Sequence, residues 1–328
     1  MEAEAAASRQ TRGAAARAVP RLAAIVPATD RPPTLRRCVE AIRTASEPPD
    51  EIVVVEEPAG AGPAAARNAG VAHTDADLVA FVDSDVVVQP EAFARIRRAF
   101  AADPGLCAIF GSYDDAPEAP GAVSGFRNLL HHHVHQSGAG RARTFWAGLG
   151  AVRRDAFVAA GGFNERRYPE PSIEDVELGM RLADAGERIE LDPEIQGKHL
   201  KTWTLVEAAR TDFLKRGAPW ARLLWERRAA SGDLNLGRRH RVSAAVSVAG
   251  VVALAARRPV AATVAAIALV ALNRSFYGLL IRRRGPFEAV AGVGLHVLHH
   301  TVAATSVPIG LLAPAYRDPA RMAPGASS

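Results

Sequence analysis

Short apolar runs alternate with helix-period segments through the first hundred residues. Residues 22–26 read LAAIV and stop at Pro27; 51–55 read EIVVV; 78–82 read LVAFV; a fourth run covers 106–111. Continuous apolar runs of this length, bounded by turn residues, predict buried strands. Between them, Arg31-Pro32-Pro33-Thr34 opens a helical pattern through Ile42, because proline suits a first turn. Gly60, Gly62 and Pro63 make a turn before AAARNAGVA, a second helix start, and 91–100 predict a third helix. The alternation predicts an α/β fold: an open, mostly parallel sheet with helices on both faces, binding ligands at the carboxyl ends of its strands. Beyond it the pattern weakens. Residues 112–145 read as irregular or helical and contain HHHVH; TFWAGLGAV is strand-like; helices are expected from Arg154 and over 174–185, and short strands at 189–191 and 196–200.

From Val242 the pattern changes again. Segments 242–256 and 260–272 carry no charge, Arg257-Arg258-Pro259 separates them, and 287–316 is mostly apolar around His296, His299 and His300. A helix of about 15 residues spans roughly 22 Å, short of the roughly 30 Å hydrocarbon core. Such segments suit core helices, a tight membrane hairpin or interfacial helices. Their arginine-rich joints and their place after a complete α/β unit favour membrane-associated helices. Arg282, Arg283 and Arg284 then place that loop, and the α/β unit, on the cytoplasmic side of the cell membrane. The expected division is a disordered arm (1–20), the α/β domain (21–225), a basic linker (226–241), membrane-associated helices (242–316) and a tail (317–328).

Composition adds two points. The net charge of +5 is concentrated in basic residues at 215–241 and 282–284, beside apolar stretches. That favours an anionic membrane surface over nucleic acid. Cys38 and Cys107 are the two cysteines, each inside a predicted element, so neither a disulfide framework nor a metal knuckle is expected. The first residues show no apolar signal-peptide core.

The chemistry concentrates where the third strand ends, in DADLVAFVDSDVVV. In an extended chain the side chains of Asp83 and Asp85 point to one side. Their repulsion is relieved by solvation in a turn or by a divalent cation, and carboxylate oxygens suit Mg²⁺ or Mn²⁺ together with substrate phosphates.

Seven pieces stand in order along the chain: IVPATDRPPTL, DEIVVVEEP, AARNAG, FVDSD, FWAGLGAVRRDAFVAAGGFNE, IEDVELGMRLADAG and HLKTW. Together they resemble the family 2 glycosyltransferases with a GT-A nucleotide-sugar fold, over about residues 21–225, and the apolar tail resembles the membrane-attached branch of that family. The resemblance implies a metal-dependent, inverting transfer of a sugar from a nucleotide-diphosphate sugar to a hydroxyl acceptor, with a lipid-linked acceptor suiting a site near the bilayer. It implies that Asp85 holds Mg²⁺ or Mn²⁺ and that Asp83 contacts the ribose or the metal's water shell. His199, in His-x-x-x-Trp, completes the metal shell or bonds the diphosphate. Asp175 would be the general base and Glu174 would position the acceptor; the alternative for this pair is helix capping. Pro27, Thr29 and Asp30 form a nucleotide-side loop that departs from the family's usual aromatic and Asn, and Glu56 ends the second strand near the base, or lies in a solvated turn. Arg67 either meets the diphosphate or pairs with Asp75 or Asp77. Trp146, Gly148 and Trp203 are expected on the acceptor side, the small residue letting substrate approach the backbone. The histidines at 131–135 read as a helix near the acceptor mouth or the membrane surface, and Arg210, Asp212, Arg216, Pro219 and Trp220 as an amphipathic link to the bilayer, with Trp220 and Trp225 as anchors. No Gln-x-x-Arg-Trp element is present, which argues against a processive synthase. The rivals are a nucleotidyltransferase on a related fold and a catalytically inactive membrane scaffold.

Overall fold

A computed structural model describes residues 20–228 and 237–313. Residues 1–19 of the expected arm, 229–236 of the linker and the tail lie outside the described residues. Among the described residues the strands are β1 (Leu22–Pro27), β2 (Glu51–Val55), β3 (Leu78–Val82), β4 (Val86–Val88), β5 (Leu106–Tyr113), β6 (Gly140–Ala142), β7 (Leu149–Arg153) and β8 (Arg188–His199); β4 and β6 were not expected from the pattern, and β6 falls in the stretch read as irregular or helical. They make one sheet in the order β2-β1-β3-β7-β5-β8-β4, with β6 paired to β8. β1, β2, β3, β5 and β8 run one way, β4, β6 and β7 the other, so the sheet is mixed and mostly parallel.

Two corrections concern the sheet. The two short strands expected at 189–191 and 196–200 are one strand, β8, broken in register against β5 between Phe110 and Ser112. Gly111 sits at that break, where a Cβ would lie 1.9 Å from the Ile195 carbonyl oxygen. The strand expected across 144–152 is confined to β7, because the chain before it turns through Trp146 and Gly148.

Helices α1 (Leu35–Arg43), α2 (Pro63–Ala72), α3 (Ala92–Ala102), α4 (Ala122–Ser137), α5 (Arg154–Ala159) and α6 (Glu174–Asp184) cover both faces. Cys38 and Ile42 of α1 and Phe93, Ile96 and Phe100 of α3 fill one side of the sheet. Ala64 and Val71 of α2, Phe157 of α5, and Leu178 and Leu182 of α6 fill the other. Both cysteines are buried free thiols. Helix α7 (Leu205–Arg210) starts with a capping box between Thr204 and Glu207, then runs through a π-helical turn (Thr211–Gly217) into α8 (Ala218–Arg227).

The apolar tail folds as α9 (Arg238–Ala255), α10 (Pro259–Leu272) and α11 (Arg274–Leu312), which breaks at Gly285 (φ 85°). The basic linker therefore ends inside α9, and the third apolar helix starts before 287. By length and composition α11 is the one helix among the described residues long and apolar enough to cross a membrane. Its Phe287 and Val290 are 91% and 74% exposed, and Val260, Val264 and Ile267 of α10 are exposed as well. The other side of α11 packs on the α/β domain, where Phe276, Leu280 and Ala289 join Phe126, Leu129 and Leu130 of α4 in one buried cluster.

Candidate active site

The strand ends that face one edge of the sheet carry the candidate residues. After β3, the Asp83 N–H donates to the Gly148 carbonyl (3.0 Å) and the Val86 N–H to the Asp83 carbonyl (2.9 Å), a tight turn that presents Asp83 and Asp85. Strand β4 then pairs with the end of β8, Val86 opposite His199, and the Leu200 N–H donates to the Asp85 carbonyl (2.9 Å). Backbone pairing thus sets His199 beside Asp85: Nε2 lies 3.5 Å from Oδ2. The ring of Tyr113, at the end of β5, stacks flat on His199 with centroids 4.2 Å apart and fixes its plane.

A buried arginine ties this corner to α6. Arg67, 4% exposed, donates through Nη2 to Asp83 Oδ1 (2.6 Å) and through Nη1 to Glu174 Oε1 (2.9 Å). It does not pair with Asp75 or Asp77; both accept from Arg21 instead. The second oxygen of Glu174 accepts from the Ser172 N–H (2.9 Å). Next to it, Asp175 Oδ2 accepts from the Ala147 N–H (3.1 Å), which joins α6 to the loop carrying Trp146.

Charge and burial separate these carboxylates. Burial, and then the neighbouring Glu174, raise Asp175 to a pKa of about 6, against the opposing pull of Arg67 and of the Ala147 and Val176 N–H groups. Burial also raises Asp83, with Arg67 opposing it. Burial pushes Asp85 the same way, but the hydrogen bond and charge of His199, with Lys201, outweigh it and hold Asp85 below the ordinary value.

A cavity of about 310 Å³ opens over this corner, lined by Asp83, Asp85, Tyr113, Trp146, His199 and Trp203 among others. Glu174 and Asp175 do not line it; Asp175 reaches its wall through Ala147, next to Trp146. Pro27, Thr29, Asp30 and Glu56 stand at the ends of β1 and β2 on the same sheet edge but outside this cavity. Thr29 is buried and its hydroxyl donates to the Ala61 carbonyl, whereas Asp30 and Glu56 are exposed. Gly148 has a different reason to be small than substrate approach: a Cβ there would lie 2.3 Å from the Trp146 ring.

Asp85 and His199 fit a divalent cation that takes its remaining ligands from substrate phosphates and water. Among the described residues no group of three or more His, Cys, Asp or Glu side chains could cage a metal unaided. Asp83 is engaged by Arg67 through Oδ1, which leaves Asp85 as the more direct carboxylate ligand. The histidine tract folds into α4: His132 and His135 place Nδ1 2.8 Å from the Tyr113 and Gly111 carbonyls, and His131 lines the cavity between Tyr113 and Trp146.

Sequence reasoning missed Tyr113, Arg127, Asp212 and His299, which all line the cavity. Asp212, expected in an amphipathic link to the bilayer, is buried and holds Arg127 and His299. Of the two expected anchors, Trp225 is exposed, whereas Trp220 packs against the cluster around Tyr168 and Leu223. The only hint in the chain was an acid, Asp212, beside basic residues in an otherwise helical stretch.

Residues 54–158 match the profile described as Glycosyl transferase family 2. Over 151 residues the chain is 31% identical to the pre-mycofactocin glycosyltransferase of Mycobacterium tuberculosis, a match covering 44% of this chain and 31% of that protein. The match thus spans about a third of the length of the curated relative. Among solved structures, a mannosyltransferase from Pyrobaculum calidifontis in complex with GDP-Man and Mn²⁺ superimposes with a TM-score of 0.53 at 16% identity, covering 89% of this chain and 88% of that one. Residues 54–158 are thus similar to the family 2 glycosyltransferases, and the chain shares the fold of the mannosyltransferase neighbour, a GT-A-like mixed sheet with helices on both faces.

Proposed function

We propose that the protein is a metal-dependent, inverting glycosyltransferase, a hexosyltransferase that moves a sugar from a nucleotide-diphosphate sugar to a hydroxyl acceptor. The observation that carries the reading is one connected corner: Asp85 beside His199, Asp83 joined through Arg67 to Glu174, and Asp175 behind the Trp146 wall. A neighbour of the same fold holds GDP-Man and Mn²⁺, which supports a nucleotide-sugar donor and a divalent cation.

Asp85 and His199 would hold Mg²⁺ or Mn²⁺, and imidazole suits Mn²⁺ better. When bound, that cation supplies Lewis-acid stabilisation of the departing diphosphate. Asp83 and Arg67 orient the donor side, while Pro27, Thr29, Asp30 and Glu56 present the nucleotide-side rim. Asp175, behind the Ala147 wall, accepts the proton of the acceptor hydroxyl through one bridging water as that oxygen bonds to the anomeric carbon. The bond from the anomeric carbon to the diphosphate breaks on the opposite side, so the configuration inverts and the nucleoside diphosphate leaves. Glu174 keeps Arg67 and the start of α6 in place, and Trp146 and Trp203 flank the acceptor.

The exposed apolar faces of α10 and α11 support attachment to the cell membrane, with the catalytic domain on the cytoplasmic side and a lipid-linked, cell-envelope acceptor within reach. The test is a panel of nucleotide sugars screened by thermal shift with the purified full chain, with and without Mn²⁺. One donor should stabilise the protein only with metal, and Asp85→Asn should remove that stabilisation. A chain that responds to none of them would be a scaffold rather than an enzyme.

A further inference from the structure

The cavity above Asp83 and Asp85 is not closed by the α/β domain. Its far wall is the C-terminal helix: Leu295, Leu298, His299 and Val302 of α11 line it. Their spacing, i, i+3, i+4 and i+7, makes one stripe along the helix. Phe126 and Leu130 of α4 line the same cavity, and Leu295 packs against their cluster, so apolar side chains from two helices share this space with Arg127, Asp212 and His299. The acidic corner and these apolar side chains belong to one space.

The helix is fastened there by a buried carboxylate. Asp212, in the π-helical turn, accepts from both terminal nitrogens of Arg127 (3.0 Å each) and from His299 Nδ1 (3.0 Å). Arg127 in turn lies over the Trp203 ring, 4.2 Å from its centroid. The Trp203 N–H donates to Ser124 Oγ of α4 (2.9 Å). His199 and Trp203 are four positions apart on one segment, so the same fastening reaches from α11 to the segment that holds the metal-side histidine. Nothing in donor binding or proton transfer requires an apolar stripe on this helix, and although Leu295 packs against the α4 cluster, Leu298 and Val302 stay partly exposed where they line the cavity.

We infer that α11 forms the far wall of the acceptor site. Leu295, Leu298 and Val302 are specificity-determining residues for an acceptor whose hydroxyl is carried on an apolar body, and Asp212 is the positioning residue that holds this wall. The inference rests on the glycosyltransferase reading of the Asp85 corner and adds the side chains that would meet the acceptor's apolar body. Apolar contact of this kind changes affinity roughly fourfold per buried methylene, so longer apolar bodies are preferred until the stripe is covered.

The test uses the full chain in amphipol and an octyl glucoside carrying a terminal diazirine, with labelled peptides mapped by mass spectrometry. Label is expected on the peptides containing Leu295–Val302 and Phe126–Leu130, displaced by unlabelled octyl glucoside and not by methyl glucoside. Competition by hexadecyl glucoside alone identifies a long lipid chain; equal competition by phenyl glucoside identifies a compact apolar aglycone. Leu298→Asn and Val302→Asn should each cut this labelling tenfold or more while leaving the metal-dependent donor thermal shift unchanged, which also shows that the variants are folded. Asp212→Asn should cut it as well, and Asp212→Glu should restore it in part. Label confined to the exposed face at Phe287 and Val290, or displaced equally by methyl glucoside, overturns the inference while the donor shift stands. A wild-type chain with no donor shift overturns the glycosyltransferase reading itself, and the acceptor assignment with it.

Discussion

Acidification should silence transfer through Asp175 while the fold persists. Its pKa is raised from 3.8 to about 6, first by burial and second by Glu174. A base with that value is about nine-tenths carboxylate at about pH 7 and about one-tenth at about pH 5, so acceptor kcat/KM should fall roughly tenfold over that interval. Glu174→Gln removes the second cause, so its acid limb should move to lower pH. Asp175→Asn should lose on the order of 10² to 10⁴ in kcat with donor binding retained. The sign of the stability effect follows from the same shift. Between the unfolded and folded pKa values the native state holds a proton that the unfolded state has lost. Asp175 therefore favours folding at low pH, and this contribution is lost as pH rises through about 6. Two pKa units bound the cost at about 3 kcal/mol, less after screening by the solvent that reaches this half-buried group. Asp175→Asn should accordingly raise Tm more at about pH 8 than at about pH 5, a variant more stable and nearly inactive. Initial rates across this range, at several saturating Mn²⁺ concentrations, make the assay. An acid limb that moves with metal concentration would trace the loss to Asp83 or Asp85. An Asp175→Asn enzyme within tenfold of wild type would refute the assignment.

Three further outcomes are expected. Arg67→Met leaves Asp83 and Glu174 without their shared partner and should cost about 3 kcal/mol, read from the urea midpoint, since breaking a buried pair strands a charge; a loss below about 1 kcal/mol would mean that water replaces the guanidinium. Gly179→Ala, although alanine is the better helix former, would set a Cβ 2.2 Å from the Phe145 amide nitrogen and 2.4 Å from the Thr144 carbonyl carbon, so α6 must shift. A penalty of roughly 1–3 kcal/mol is expected, and a Tm equal to wild type would contradict the close approach. His199→Ala should raise the Mn²⁺ concentration for half-maximal donor stabilisation tenfold or more, whereas an unchanged requirement would remove His199 from the metal shell.

The elements that could be read from the chain were those whose cause is local. β1, β2 and β3 are unbroken apolar runs, and their alternation with α1, α2 and α3 is enough to imply the sheet and the edge on which Asp83 and Asp85 stand. What was hidden depends on partners far apart in sequence. Arg67 is separated from Glu174 by 107 positions, and Asp212 from His299 by 87. No periodicity announces such pairs, and an arginine or aspartate in a helical stretch reads as a surface charge until a fold brings its partner. Tyr113 was invisible for a related reason: it ends a strand like many core residues, and only the pairing of β5 with β8 and of β8 with β4 sets its ring on His199. The break in β8 was misread because Gly111, which allows it, lies on the other strand.

The placement of Arg67 also says why the donor and the cation belong together. Asp83, Asp85, Glu174 and Asp175 bring four carboxylates to one corner, and Arg67 spends its two terminal nitrogens on two of them. A diphosphate arriving alone would face Asp83 and Asp85 across a partly buried space, where like charges repel more strongly than in water. A divalent cation arriving alone finds one carboxylate and one imidazole, too few ligands for tight binding. Under the proposed reading, if the two entered together the cation would offset the diphosphate charge while Asp85 and His199 would supply two of its ligands, and the corner would keep the charge it had when empty. Asp175 then stays at the pKa its burial sets, poised to ionise near neutrality, because the charge added beside it sums to almost nothing. The arginine thus does more than hold two side chains. By sharing itself between Asp83 and Glu174, it ties the turn after β3 to the start of α6.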